Sequence, residues 1–164
     1  MRQLFALVTV SALLVPLGSE ALEACGAKFL VAVRSAQRQR MQHTRQPGNI
    51  LLYQHSNSRE VVEETTALRD LLNSVGHTAV IAPGEAALRD AGRTGRFDLV
   101  MMELSQARSL KSSVQSSLPG AKILPVAVLE ETRVRDAAKK EFGRVLKAPA
   151  RANETLEVVA SALK

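Results

Sequence analysis

A chain of 164 residues, 46% hydrophobic and 23% charged, has room for one domain with a real core plus an appendage. It has no Trp, a single Tyr, Tyr53, and four Phe, so few aromatic faces are available for stacking single-stranded nucleic acid and the core must be built from Val, Leu, Ile and Ala. The formal charge of +6 is unevenly placed: Lys28, Arg34, Arg38, Arg40 and Arg45 carry no acidic residue among them, whereas from Asn49 onward 16 Lys/Arg face 14 Asp/Glu. The basicity therefore belongs to an arm and not to the domain. Such an arm is either a solvated linker or a contact for anionic membrane or nucleic acid.

The first segment has the layout of a secretory signal peptide. Arg2 supplies a short positive region, and Leu4 to Val15 is an apolar run of twelve residues, too short for a spanning helix. Pro16 and Gly18 break the run, and Ser19-Glu20-Ala21 places small residues around a cleavage site. An uncleaved anchor continued through Phe29–Val33 would bring Glu20, Glu23 and Lys28 to the bilayer at high cost. Residues 1–24 are thus expected to be a signal, and the protein to be exported to the periplasm or cell envelope. Leu22-Glu23-Ala24-Cys25 resembles a bacterial lipoprotein box, although Glu23 departs from its pattern. Cys25 is the only cysteine and cannot form an internal disulfide, so lipidation, intermolecular pairing and an inert thiol are all open. Residues 25–48 form the basic arm, in which Phe29–Val33 reads as a strand or as the start of an amphipathic helix packing back on the domain.

Gln46-Pro47-Gly48-Asn49 punctuates the chain and opens a domain over residues 49–164. Ile50–Tyr53 is a short apolar run suited to a buried parallel strand. Val61 to Val75 has helical spacing, with Gly76 to stop it. Thr78–Ile81 is a second strand, Pro83-Gly84 a turn, and Glu85–Ala91 a short helix ending near Gly92. Phe97–Met102 is a third strand. Ser105–Leu118 is a polar helix with Leu110, Val114 and Leu118 four residues apart. Ile123–Leu129 is a fourth strand, Arg133–Phe142 a helix closed by Gly143, and Val145-Leu146 a fifth strand. Asn153 is placed to cap a last helix through Leu163. Five strands alternating with five helices predict an α/β fold, a five-stranded parallel doubly wound sheet of flavodoxin-like type with helices on both faces.

The order and local motifs resemble the receiver domain of response regulators. Phe97-Asp98-Leu99-Val100-Met101-Met102-Glu103 is similar to the strand that delivers the phosphoacceptor aspartate, with Glu103 in its place. Leu124–Leu129 is similar to the strand that ends in a Thr or Ser, here followed by Glu130. Leu146-Lys147-Ala148-Pro149 resembles the Lys-Pro after the fifth strand, with one residue inserted. Where receivers carry an acidic pair for Mg²⁺, this chain has Gln54 and His55, an amide and an imidazole in place of carboxylates. Glu103 is longer than Asp by one methylene, which moves its oxygen by ~1.5 Å. The resemblance therefore implies a pseudo-receiver, with degenerate site positions Gln54, His55, Glu103, Glu130 and Lys147. Either a Glu103–Lys147 ion pair holds one geometry without phosphate, or both groups are partly solvated and merely finish their strands.

Other constellations are weak. His43, His55 and His77 lack metal-ligand spacing, so no metal is expected, and a hydrogen-bonded group is the ordinary role of a lone histidine. The segment Gln54-His55-Ser56-Asn57-Ser58 has no glycine, so neither a dinucleotide loop nor a P-loop is present and no cofactor is expected. Ser56, Asn57 and Ser58 suit helix capping better than an anion cradle. The expected function is a non-catalytic, exported interaction module whose partner is another protein, not nucleic acid. The alternatives are a membrane-tethered, phospho-accepting response regulator, and a small-ligand or enzymatic site at the carboxyl edge using His55, Glu103, Glu130 and Lys147.

Overall fold

Alternation of buried side chains along each strand fixes how the domain is layered. The computed structural model describes residues 47–128 and 130–164. The residues read as a signal (1–24), Cys25, Phe29–Val33, the basic residues Lys28, Arg34, Arg38, Arg40 and Arg45, and His43 lie outside them. In chain order the elements are β1 (Asn49–Gln54), α1 (Arg59–Ser74), β2 (Thr78–Pro83), α2 (Gly84–Thr94), β3 (Leu99–Glu103) and α3 (Leu104–Ser109). There follow α4 (Lys111–Ser117), β4 (Lys122–Val128), α5 (Thr132–Phe142), β5 (Leu146–Ala148) and α6 (Ala152–Leu163). The strands form one parallel sheet in the order β2-β1-β3-β4-β5.

Side chains of a strand point alternately to the two faces. Ile50, Leu52, Leu99, Met101 and Leu124 therefore pack on one face with Leu71 and Leu72 of α1 and Leu156 and Val159 of α6. Leu51, Val100 and Met102 pack on the other with Leu88 of α2, Ala107 of α3 and Val114 of α4. Leu104, Ala127 and Ala138 of α5 continue that second layer. A sheet covered on both sides needs apolar residues at every strand position, and Leu99–Met102 is wholly buried.

Three local expectations are corrected. The helix expected over 105–118 is two helices, broken at Leu110, whose φ of −100° and ψ of 6° leave the helical region. That bend keeps Ala107, Leu110 and Val114 in one core cluster. Gly92 does not end its helix, which runs on to Thr94. A Cβ at Gly92 would lie 2.1 Å from the Ser117 carbonyl oxygen, so the glycine serves close packing of α2 on α4. Asn153 lies inside α6, whose N-cap is Arg151 without a side-chain capping bond. Ser58, by contrast, caps α1 by accepting the Val61 N–H, and Ser56 Oγ accepts the Ser58 N–H at 3.1 Å.

The domain begins beside a buried histidine. Nδ1 of His77 accepts the Gly48 N–H at 3.1 Å, and Gly48 packs on the side chain of Leu163. Burial lowers the His77 pKa from 6.5. The unfolded chain therefore binds a proton more readily than the folded one between the lowered pKa and 6.5. The stability contributed by neutral His77 is complete above that range and is lost as pH falls through it. Urea midpoints measured from about pH 7 down to about pH 5 should fall less for His77→Gln, whose amide oxygen can still accept the Gly48 N–H. Equal slopes for the two proteins would remove His77 as the cause.

Candidate functional site

The carboxyl ends of β1 and β3, neighbours in the sheet, bring His55 and Glu103 together. His55 Nδ1 lies 3.6 Å from Glu103 Oε2, and each side chain is 37% exposed, so the pair is solvated and weak. Oε1 of Glu103 accepts the Ser105 hydroxyl at 2.9 Å. Gln54 is turned inward: it is buried, and its Nε2 donates to Asn57 Oδ1 at 3.0 Å. This bond braces the turn between β1 and α1.

Lys147 does not join Glu103. It is exposed, forms no salt bridge among the described residues, and sits in register with Ala127, on the side of the sheet that α5 covers. The inserted residue explains this. Ala148, not Lys147, precedes Pro149, and two-residue alternation turns the cation outward while Leu146 and Ala148 are buried. Of the two readings of these residues, the Glu103–Lys147 pair does not form, and Glu103 lies beside His55 instead. Glu130 is half-buried just beyond β4, and it too makes no salt bridge among the described residues.

Beside this edge a groove of about 660 Å³ opens on the α1/α6 face. Its floor is Leu52, Met101, Val126 and Val128, one wall is Val61, Glu64 and Leu68 of α1, and the other is Ala148 and Pro149. His55 and Glu103 reach its rim, whereas Gln54, Glu130 and Lys147 do not line it. Val128 is 51% exposed there, an unusual state for a large apolar strand residue. Burial and the charge of Glu60 raise the Glu64 pKa above its ordinary 4.5. Reading the sequence missed the groove. One signal was available: Glu60 and Glu64, four residues apart, border the apolar Val61–Leu68 stripe on one helix.

A response regulator from Burkholderia pseudomallei, solved with a phosphorylated aspartic acid, calcium and citrate, superposes with a TM-score of 0.53 at 20% identity, over 70% of this chain and 69% of that one. The fold is that of a receiver. Two pilus assembly proteins are also similar. CpaE from Caulobacter crescentus has a TM-score of 0.48 at 16% identity, over 70% of this chain and 95% of that one. CpaE2 from Sinorhizobium meliloti has 0.46 at 13%, over 70% and 98%. No protein-family model and no curated relative matches the sequence.

The receiver fold places any site of this type where β1, β3, β4 and β5 end. In this chain those ends hold an amide, an imidazole and one carboxylate at the β1/β3 junction, and a cation facing elsewhere. Among the described residues no three His, Cys, Asp or Glu side chains converge as a metal-ion cluster. The arrangement can offer an imidazole hydrogen bond at His55 and accept hydrogen bonds at Glu103.

Proposed function

We propose that residues 49–164 serve as an exported receiver-fold module that binds a partner protein and accepts no phosphate. The observation that carries this reading is the His55–Glu103 contact at 3.6 Å. A hard divalent cation needs several carboxylate oxygens beside the phosphoryl group. Here the two positions after the first three buried residues of β1 and Tyr53 are an amide tied to Asn57 and an imidazole facing the Glu103 carboxylate. The lysine that would neutralise a transferred phosphoryl group faces solvent on the other side. Export is supported by the charged, apolar and small-residue order of residues 1–24. A signalling role without chemistry is compatible with the same scaffold, because the fold by itself selects no activity.

One measurement tests both halves: intact mass of the native protein from separated cell fractions, before and after incubation with acetyl phosphate and Mg²⁺. The expected species begins near Leu22 or Cys25, is found in the envelope, and gains no phosphoryl adduct. A full-length cytoplasmic species that gains a hydroxylamine-labile adduct on Glu103 would instead establish the membrane-tethered phospho-acceptor.

A further inference from the structure

The stripe of α1 that faces the groove holds an acid where an apolar residue belongs. Val61, Glu64, Thr65 and Leu68 line the groove, and their spacing places them on one helical face. Glu64 is half-buried there, and burial together with the charge of Glu60 raises its pKa. Among the described residues neither Glu60 nor Glu64 makes a salt bridge or a side-chain hydrogen bond, because Arg59, the nearest cation in sequence, is bound to Glu63. Glu103 adds a third carboxylate at the rim, and no Lys or Arg among the described residues lines the groove. Two like charges one turn apart repel, and a carboxylate held against apolar side chains loses hydration. A cation entering the groove relieves both costs.

We propose that the groove binds a small organic cation, an apolar body carrying an ammonium group, with the ammonium between the Glu60 and Glu64 carboxylates and the apolar body over Met101, Val126 and Val128. The dimensions fit. A groove of about 660 Å³ falls within the ~300–1,000 Å³ that encloses small-molecule ligands. Side chains one turn apart on a helix stand ~6 Å apart at Cβ, so one ammonium, with its three donors, reaches both carboxylates. Val128, exposed at the end of β4, is the part of the floor that the apolar body covers. The small side chains of Ala148 and Pro149 on the far wall leave it the width. The charges also exclude other occupants. An anion would meet Glu60, Glu64 and Glu103 with no Lys or Arg on the described lining to offset them. A neutral apolar molecule would leave Glu64 desolvated and unpaired. Export, phosphate transfer and a protein partner play no part in this binding, so the site and the proposed function can fail independently.

Titration of the full chain with phenylbutylammonium, phenylbutanol and phenylbutyrate, followed by methyl NMR at neutral pH, separates charge from apolar burial. The ammonium compound should bind about tenfold tighter than the alcohol, the size of a charge-assisted hydrogen bond, and the carboxylate should bind weakest. The methyl signals that move should be those of Met101, Val126 and Val128, while Leu88 and Val114 on the opposite face stay in place. Glu64→Gln should weaken the ammonium compound about tenfold and leave the alcohol unchanged. Its thermal melt should be no lower than that of the parent, because the amide removes a repelled carboxylate. Glu60→Lys with Glu64→Lys should move the preference toward phenylbutyrate by about tenfold or more. Equal affinities for the ammonium compound and the alcohol would reduce the groove to a general apolar patch and overturn the proposal. So would signals moving only outside the groove, no binding up to about 10 mM, or a charge preference that both sets of substitutions leave unchanged.

Discussion

Gly92→Ala should lower the stability of the domain by about 2–3 kcal/mol and its melting temperature by about 10 °C. Helix propensity alone forecasts the opposite sign, because alanine in a helix interior is favoured over glycine by about 1 kcal/mol. The close approach decides the matter. The added methyl would meet the Ser117 carbonyl oxygen at 2.1 Å and its carbon at 2.9 Å, both backbone atoms at the end of α4. Neither can rotate away, so α2 and α4 must part and loosen the cluster of Leu88, Val114 and Leu118 between them. Gly84→Ala is the comparison. Its methyl meets nothing within 4 Å, and only the φ of +80° resists it, a cost of about 1 kcal/mol. Thermal melts of the two variants should rank Gly92→Ala well below Gly84→Ala. The reverse order would mean that the helices separate freely.

Truncation of Leu124 to alanine should cost about 3 kcal/mol, a large fraction of the total stability of a domain this size. Leu124 is 0% exposed, pairs in register with Met101, and belongs to the cluster built from β1, β3, β4, β5, α1 and α6. Its removal leaves a void bounded by strands on both sides, which cannot collapse as a helix end could. Val80→Ala is the contrasting change. Val80 is 44% exposed on β2, and its loss should cost no more than about 0.5 kcal/mol. Urea titrations showing similar midpoints for both variants would contradict the layered core described above.

The strands were legible because burial on two faces leaves runs such as Ile50–Tyr53 and Leu99–Met102 with almost no polar interruption. The first helix was legible from its spacing and from Ser58, whose hydroxyl performs the capping its position implies. Gly92 was misread because a glycine marks both helix ends and close approaches, and only the position of Ser117 distinguishes them. Asn153 was misread because a good capping residue is passed over once Arg151 has already taken the extended conformation that starts α6. At the candidate site, Glu103 was placed at a strand end correctly, but its partner was not. Whether it meets Lys147 or His55 depends on a one-residue offset before Pro149, and a single residue reverses the side a strand position faces. The groove was hidden for a different reason. It is a gap between α1, four strands and the loop at Pro149, and only its α1 border, Glu60 and Glu64 beside Val61 and Leu68, is written in one stretch of sequence.

The strand order leaves two unequal margins. β5 is three residues long, points Lys147 outward and is followed by Pro149, all features that discourage another strand from adding to it. β2 is twice as long and carries an exposed Val80, and only its last residue, Pro83, lacks an N–H. Self-association by strand addition, in a crowded or partly opened population, is therefore directed to one side of the molecule. The β2 margin is the one that handling at high concentration has to protect.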